Sequence, residues 1–455
     1  MRRLIGMLLV VIMTLSCTLA EDITFTGEME REAITDEEII ELMYGRYGLS
    51  SLPQTVLPDG DRDVTVLTHY DLGPAKEKYK ELFGGDVIQI ICGAQEYSAK
   101  LQNLVAAGTI PDLVVSESTT DPCFVTLANA GLVQPIDAYI DYNEPELREL
   151  KSVYEAGLWK GNHYLAPYDN KPVYYMIYNP VIFEEYGYEN PWELWERGEW
   201  TWDAFRSLAV ELNVTDEKGD YICYGTCAPG YGALTGSTGV DYVALKDGFF
   251  ENNLTDPNIA RAENYLNDML FKDNVIKVKA QGGWRNYWNR GMVAMQIIDS
   301  WMLTGSAETS QAIRAGTLGI VPLPQDPQKV QQGVNVTYAQ SGGFCLVTGA
   351  KHPECAAAFI RTLAYYYRYP EDGETYVDML AEWHDKGWTN ELLYQYNVSR
   401  DVEHMVTSFG YGFMATHRVW AFMAAQNNWT TFVESVLPQA EESLRELMGE
   451  AIPAA

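Results

Sequence analysis

The chain has 455 residues, 47% of them hydrophobic and 21% charged, enough for about three domains of ~150 residues or two large ones. That balance excludes disordered, collagen-like and coiled-coil chains. Sixty-three acidic residues against 32 basic ones give a formal charge of −31, a surface that repels phosphates and argues against nucleic-acid or polyphosphate partners and favours a neutral or cationic ligand.

Residues 1–20 read as a secretory signal peptide. Arg2 and Arg3 precede an apolar run from Leu4 to Leu15, and small residues lead to Ala20. The run is too short to span a bilayer. Cleavage before Glu21 is one outcome. The other is a lipobox, Leu15-Ser16-Cys17, with Cys17 lipidated and made the new N-terminus. Either places the mature chain outside the cytoplasm, at the cell surface on a membrane anchor or secreted. Residues 21–62 are polar and acidic and read as a tether, with one short helix around Asp36 to Tyr44.

Val64 to Leu67 then predicts a strand, Pro74 to Phe83 a helix stopped by Gly84-Gly85, and Asp86 to Cys92 a second strand. Tyr97, Leu101, Leu104 and Val105 share one helical face, ended at Gly108, and Leu113 to Val115 is a third strand. This alternation means βαβ units on a parallel sheet with right-handed crossovers. Ligands of such sheets sit beyond the carboxyl ends of the strands. Here those ends carry Tyr70 and Glu117 and no glycine-rich phosphate loop, so nucleotide binding drops out.

Further along, Thr201 is a plausible N-cap in Trp200-Thr-Trp-Asp-Ala-Phe205, and Val293 to Ile298 is a strand ending at Asp299-Ser-Trp301. The last hundred residues are mainly helical. Six cysteines follow position 17. Cys223 and Cys227 are the closest pair, either a disulfide or two buried thiols, and nothing has the spacing of a zinc site. No metal and no cofactor is expected. The six histidines lack HExxH spacing, and no G-x-S-x-G elbow occurs.

Several passages resemble bacterial extracellular solute-binding proteins of ABC importers, in the carbohydrate-type group related to maltose-binding protein. They are KLQNLVAAGTIPDLVV (Lys100 to Val115), GLVQPIDAYI (Gly131 to Ile140), YLAPYDNKPVYYMIYN (Tyr164 to Asn179) and WTWDAF. RGMVAMQIIDSWML, LGIVPLPQ and SGGFCLVTGAKHPECAAAFI follow in the family's order. The acidic arm before Val64 and the stretch from Tyr365 to Ser408 depart from it.

The resemblance implies an α/β, two-lobed periplasmic-binding-protein-like fold with hinge crossovers and a ligand cleft between the lobes. The crossovers would lie at Leu165 to Lys171 and near Gly342 to Leu346. The first lobe would comprise 63–168 and 343–400, the second 169–342 and 401–455. It also implies a receptor that binds sugar, performs no chemistry and docks on ABC transporter permease subunits.

Sugar needs an aromatic plane for its C–H face and carboxylates for its rim. Trp301 and Asp299 supply both after the strand at Val293. Asp169 in the crossover either accepts sugar hydroxyls or caps a turn. Tyr70 and Glu117 stand at cleft wall or core edge. Trp284, Tyr231 and Tyr411 lie in loop-rich stretches and line the cleft or pack in the core. The rivals are a secreted glycoside hydrolase or lyase using two cleft carboxylates, a glycan-adhesion module without a transporter, and a receptor for peptides or polyamines.

Overall fold

The computed structural model describes residues 33–45, 55–93, 96–117, 124–144, 147–227, 232–246, 249–276, 284–340, 342–366, 368, 370, 374–407 and 428–448. The expected signal peptide (residues 1–20), Cys17, Tyr231 and Tyr411 lie outside them.

Thr35 opens the first described helix, α1 (Asp36–Tyr44). Its side chain accepts from the Glu38 backbone while Glu38 reaches back to Thr35, a reciprocal cap. Strand β1 (Val64–Thr68) buries both its faces, which is why it reads as a continuous apolar run. Helix α2 (Ala75–Phe83) stops at Gly84, whose φ of 76° is a left-handed cap that glycine takes without strain. Strand β2 (Val87–Ile91), helix α3 (Tyr97–Ala106) and strand β3 (Leu113–Glu117) follow as the periodicity requires.

In the first sheet β1 lies parallel between β2 and β3. The short strand β4 (Val133–Gln134) joins its far edge. The second sheet contains β5 (Tyr174–Tyr178), β6 (Val214–Thr215), β7 (Tyr221–Thr226), β8 (Val293–Asp299) and β9 (Gly319–Val321), in the spatial order β9-β5-β8-β7-β6. After β10 (Val336–Gln340) the chain returns through β11 (Gly342–Val347), which pairs antiparallel with β3 and β4 and completes the first sheet.

Helix α4 (Trp202–Glu211) and helix α5 (Pro257–Phe271) belong to the core around the second sheet, and α6 (Ser300–Gly305) springs from the end of β8. Helix α7 (Pro353–Tyr366) packs into the core of the first sheet. Helix α8 (Tyr376–Asp385) and helix α9 (Asn390–Arg400) follow, then strand β12 (Glu403–Thr407) and helix α10 (Trp429–Met448).

Each sheet thus has its own apolar core. The expected stretch 343–400 is shared between them: β11 and α7 lie with the first sheet, whereas α9 rests on the second. There Gln395 Oε1 accepts the Ile320 amide at 2.9 Å and Gln395 Nε2 donates to the Tyr178 hydroxyl. Many of the large aromatics go to these cores. Trp200, Trp202 and Trp429 are buried, and each indole N–H finds an acceptor, in Pro322, Ser237 and Leu254.

Two passes join the sheets. Ala166 exchanges backbone hydrogen bonds with Phe344 at 2.8 and 3.0 Å, and Val173 donates to Tyr338 at 2.8 Å. Beside them β10 pairs in parallel with β12 over five residues.

One expectation changes and one open choice is decided. Residues 21–62 are not all tether, because α1 packs on α8 and α9 with Ile39, Met43 and Tyr44 buried. Only three of its nine side chains are needed for docking, so the polar remainder hides the pattern. Cys223 and Cys227 are free thiols. Cys223 lies within β7 and Cys227 just after it, about 13 Å apart at ~3.3 Å per extended residue, well beyond disulfide reach.

Candidate functional site

Beyond β1 the chain turns through His69, Tyr70 and Asp71, and β3 ends at Glu117. Between the sheets the first pass carries Tyr168, Asp169 and Lys171. Together with Arg368, Ser300 and Thr304 of α6, and Tyr396, Asn397 and Arg400 of α9, Tyr70 and this pass line a cavity of about 690 Å³. Helices α1 and α8 close another side. The size falls within the ~300–1,000 Å³ usual for small-molecule sites.

Asp169 is the electrostatic centre. Its Oδ1 accepts from Arg400 Nη2 at 3.1 Å, and its Oδ2 lies 3.4 Å from Lys171 Nζ. Burial alone would raise its carboxyl, but Lys171, Arg400 and Arg368 outweigh that and hold it at about 2. Lys171 is raised in return, chiefly by Asp169. Both groups are therefore charged at neutral pH.

The Tyr70 and Tyr168 hydroxyls meet at 2.8 Å, and burial pushes Tyr168 up to about 12. Tyr168 stacks on Phe344 of β11, with ring centroids 5.6 Å apart, which fixes its plane. Glu117 lies behind this pair. Its Oε2 is 3.8 Å from His69 Nε2, and burial raises its carboxyl while Lys171 opposes that rise. His69 is lowered by burial, and its Nδ1 is hydrogen-bonded to the Tyr97 hydroxyl.

Four cations (Lys171, Arg368, Lys386, Arg400) and four carboxylates (Asp71, Asp169, Glu374, Glu382) line the cavity. A chain with a −31 charge therefore presents a locally balanced site, rich in both donors and acceptors. Hydroxyl groups, which donate and accept, match such a surface. Tyr44, Tyr70, Tyr168, Tyr175, Tyr396 and Trp383 supply planar apolar faces.

Of the residues singled out from sequence, Tyr70 and Asp169 meet on this wall, with Glu117 just behind. Asp299 and Trp301 do not line it; their neighbours Ser300 and Thr304 do. Trp301 is 54% exposed, and Asp299 is raised to about 6 by burial against the pull of Arg285. Trp284 is buried edge-on against Trp288 and does not line this cavity. Sequence reasoning missed Arg368, Arg400, Tyr396 and Trp383. They sit in the stretch 365–408 that departs from the family, 231 residues from Asp169 in the case of Arg400. Lys171 and Tyr168, by contrast, flank Asp169 in the quoted crossover and were within reach. Among the described residues no cluster of His, Cys, Asp and Glu could hold a metal ion, and no helix is long and apolar enough to cross a membrane.

The sequence model of the bacterial extracellular solute-binding protein family matches residues 73–364, more than half of the chain. The chain belongs to that family. Its members are binding proteins, and the family is by its description extracellular. Solved structures agree on the two-lobed α/β fold. The galacto-N-biose-/lacto-N-biose I-binding protein of the Bifidobacterium longum ABC transporter, in complex with lacto-N-biose, superposes with a TM-score of 0.62 at 14% identity, covering 87% of this solute-binding protein and 100% of that chain. An ABC substrate-binding protein from Listeria monocytogenes in complex with cycloalternan gives 0.59 at 16% identity, with 86% and 100% covered. The maltose/maltodextrin-binding domain from Bdellovibrio bacteriovorus, bound to maltotriose, gives 0.56 at 16% identity, with 84% and 100% covered. No curated protein sequence matches the chain.

Proposed function

We propose that this solute-binding protein captures a neutral sugar or oligosaccharide between its two lobes and delivers it to the permease of an ABC importer. The observation that carries this reading is the charge-balanced, aromatic-lined cavity beside the interlobe passes. Asp169 and its three cations offer fixed donors and acceptors to hydroxyls, and Tyr70 and Tyr168 offer planes to C–H faces. Bound structures of the neighbours named above hold lacto-N-biose, cycloalternan and maltotriose, which supports the same ligand class here. Closure would be driven by ligand contacts made with both lobes at once. In this reading the protein performs no chemistry, and a lipid on Cys17 holds it at the membrane near its permease.

The test is thermal unfolding of the mature protein against neutral mono- and oligosaccharides, with chromatography of each mixture afterwards. Ligand at ~100 times its dissociation constant adds about 2.7 kcal/mol, a rise of about 3 °C for a chain this long. A rise with the sugar recovered intact supports the receptor. Cleaved sugar replaces it with the hydrolase, and no rise across the panel refutes the sugar reading.

A further inference from the structure

Two helices of the cavity wall, α1 and α8, lie outside the residues that the family model matches. They do not merely cover the site. Ile39 of α1 is fully buried, Asn390 donates to Asp36 at 2.7 Å, and Tyr44 stacks on Tyr376 of α8 with centroids 4.8 Å apart and planes 22° apart. So anchored, the pair turns Met43, Tyr44, Met379 and Trp383 to the cavity.

Trp383 is the fixed point of this wall. Its ring is held edge-on by Trp388 at 5.0 Å and tilted against Tyr396 at 6.4 Å, yet it stays only half-buried. Lys386 Nζ stands 5.8 Å from its centroid and 3.6 Å from Glu382, so one ion pair rims the aromatic surface. An apolar floor with a charged rim is the surface that a pyranose ring, apolar on its face and hydroxylated at its edge, complements.

The wall is also displaced from the hinge cluster. Arg400, which holds Asp169, lies one helical turn from Tyr396, roughly 6 Å along α9. Trp383 packs on Tyr396, with ring centroids 6.4 Å apart. The cavity of about 690 Å³ that takes in both groups lies in the upper part of the ~300–1,000 Å³ range of small-molecule sites, more room than one pyranose ring fills.

Resting on the sugar reading above, we propose that α1 and α8 build a second sugar subsite, which takes a terminal unit of an oligosaccharide whose other end sits at Asp169. The preferred ligand is then longer than a monosaccharide.

Calorimetric titration of the full mature chain with linear series from one to four units of glucose, mannose and galactose type tests this. In the wild type, affinity rises with length. Trp383→Ala weakens the longest ligand about 5- to 10-fold and the shortest binding ligand less than about 2-fold. Lys386→Ala, at an exposed position where folding is not at stake, shows the same length dependence. If both variants follow the wild type at every length, or Trp383→Ala weakens every length equally while Lys386→Ala is silent, the subsite is refuted and the sugar reading survives. If the wild type binds no member of any series, the sugar reading fails and the subsite with it.

Discussion

Asp169→Asn removes the carboxylate that pairs with Lys171 and Arg400 and is held down by Arg368 as well, while keeping its shape. The wild-type carboxyl sits at about 2 against an ordinary 3.8, a gap worth roughly 2.4 kcal/mol at 1.36 kcal/mol per pH unit. Because 35% of the side chain reaches water, solvent screening reduces this to about 1 kcal/mol. A lowered carboxyl stabilises the fold above the unfolded value and loses that contribution as pH falls through the folded one. Urea unfolding of both proteins across pH therefore shows the variant about 1 kcal/mol less stable from pH 5 to 7, with the difference shrinking from pH 4 towards pH 2. A difference that stays constant with pH would trace the loss to shape rather than charge. No difference at pH 7 would mean that the ion cluster contributes nothing to folding.

Tyr70→Phe strips the 2.8 Å partner from the Tyr168 hydroxyl and costs about 1 kcal/mol in denaturant unfolding, together with weaker sugar binding. Trp301→Ala leaves the unfolding midpoint within about 1 °C, since surface changes cost little; a large drop would show that the ring packs in the fold. Gly343→Ala drives a Cβ into the Ala166 carbonyl at the interlobe pass and destabilises by about 1–3 kcal/mol, read by thermal unfolding. Asp299 has a raised carboxyl, so native protein holds its proton more tightly than the unfolded chain and loses stability as pH climbs from about 4 to about 6. Asp299→Asn flattens that fall and gains about 1 kcal/mol above pH 6, visible in paired melts at pH 5 and 7.

The first sheet was legible because β1 and β3 are covered on both faces and so spell unbroken apolar runs, punctuated by Gly84 and Gly108. Helix α1 was legible as a helix but not as a wall. Asp36-Glu-Glu38 advertises a solvated start, and the three buried side chains announce no partner, because α8 and α9 lie more than 300 residues away. Tyr70 and Asp169 could be proposed since strand ends and crossovers converge in any fold of this class. Arg400 could not, because nothing local in Asn390–Arg400 marks the residue that reaches across to the crossover. Trp301 is the opposite case. A motif position named it, but the turn into α6 presents Ser300 and Thr304 to the cavity instead.

Segments from three distant parts of the chain lie side by side between the sheets: the bridge from Pro172 to Ala339, and the parallel pairing of β10 with β12. A ribbon of this kind flexes easily across its strands, since flexing leaves every ladder bond intact, but sliding or swivelling would break them. If the protein serves an importer as proposed, a ligand that touches both lobes would act on this ribbon when it draws them together.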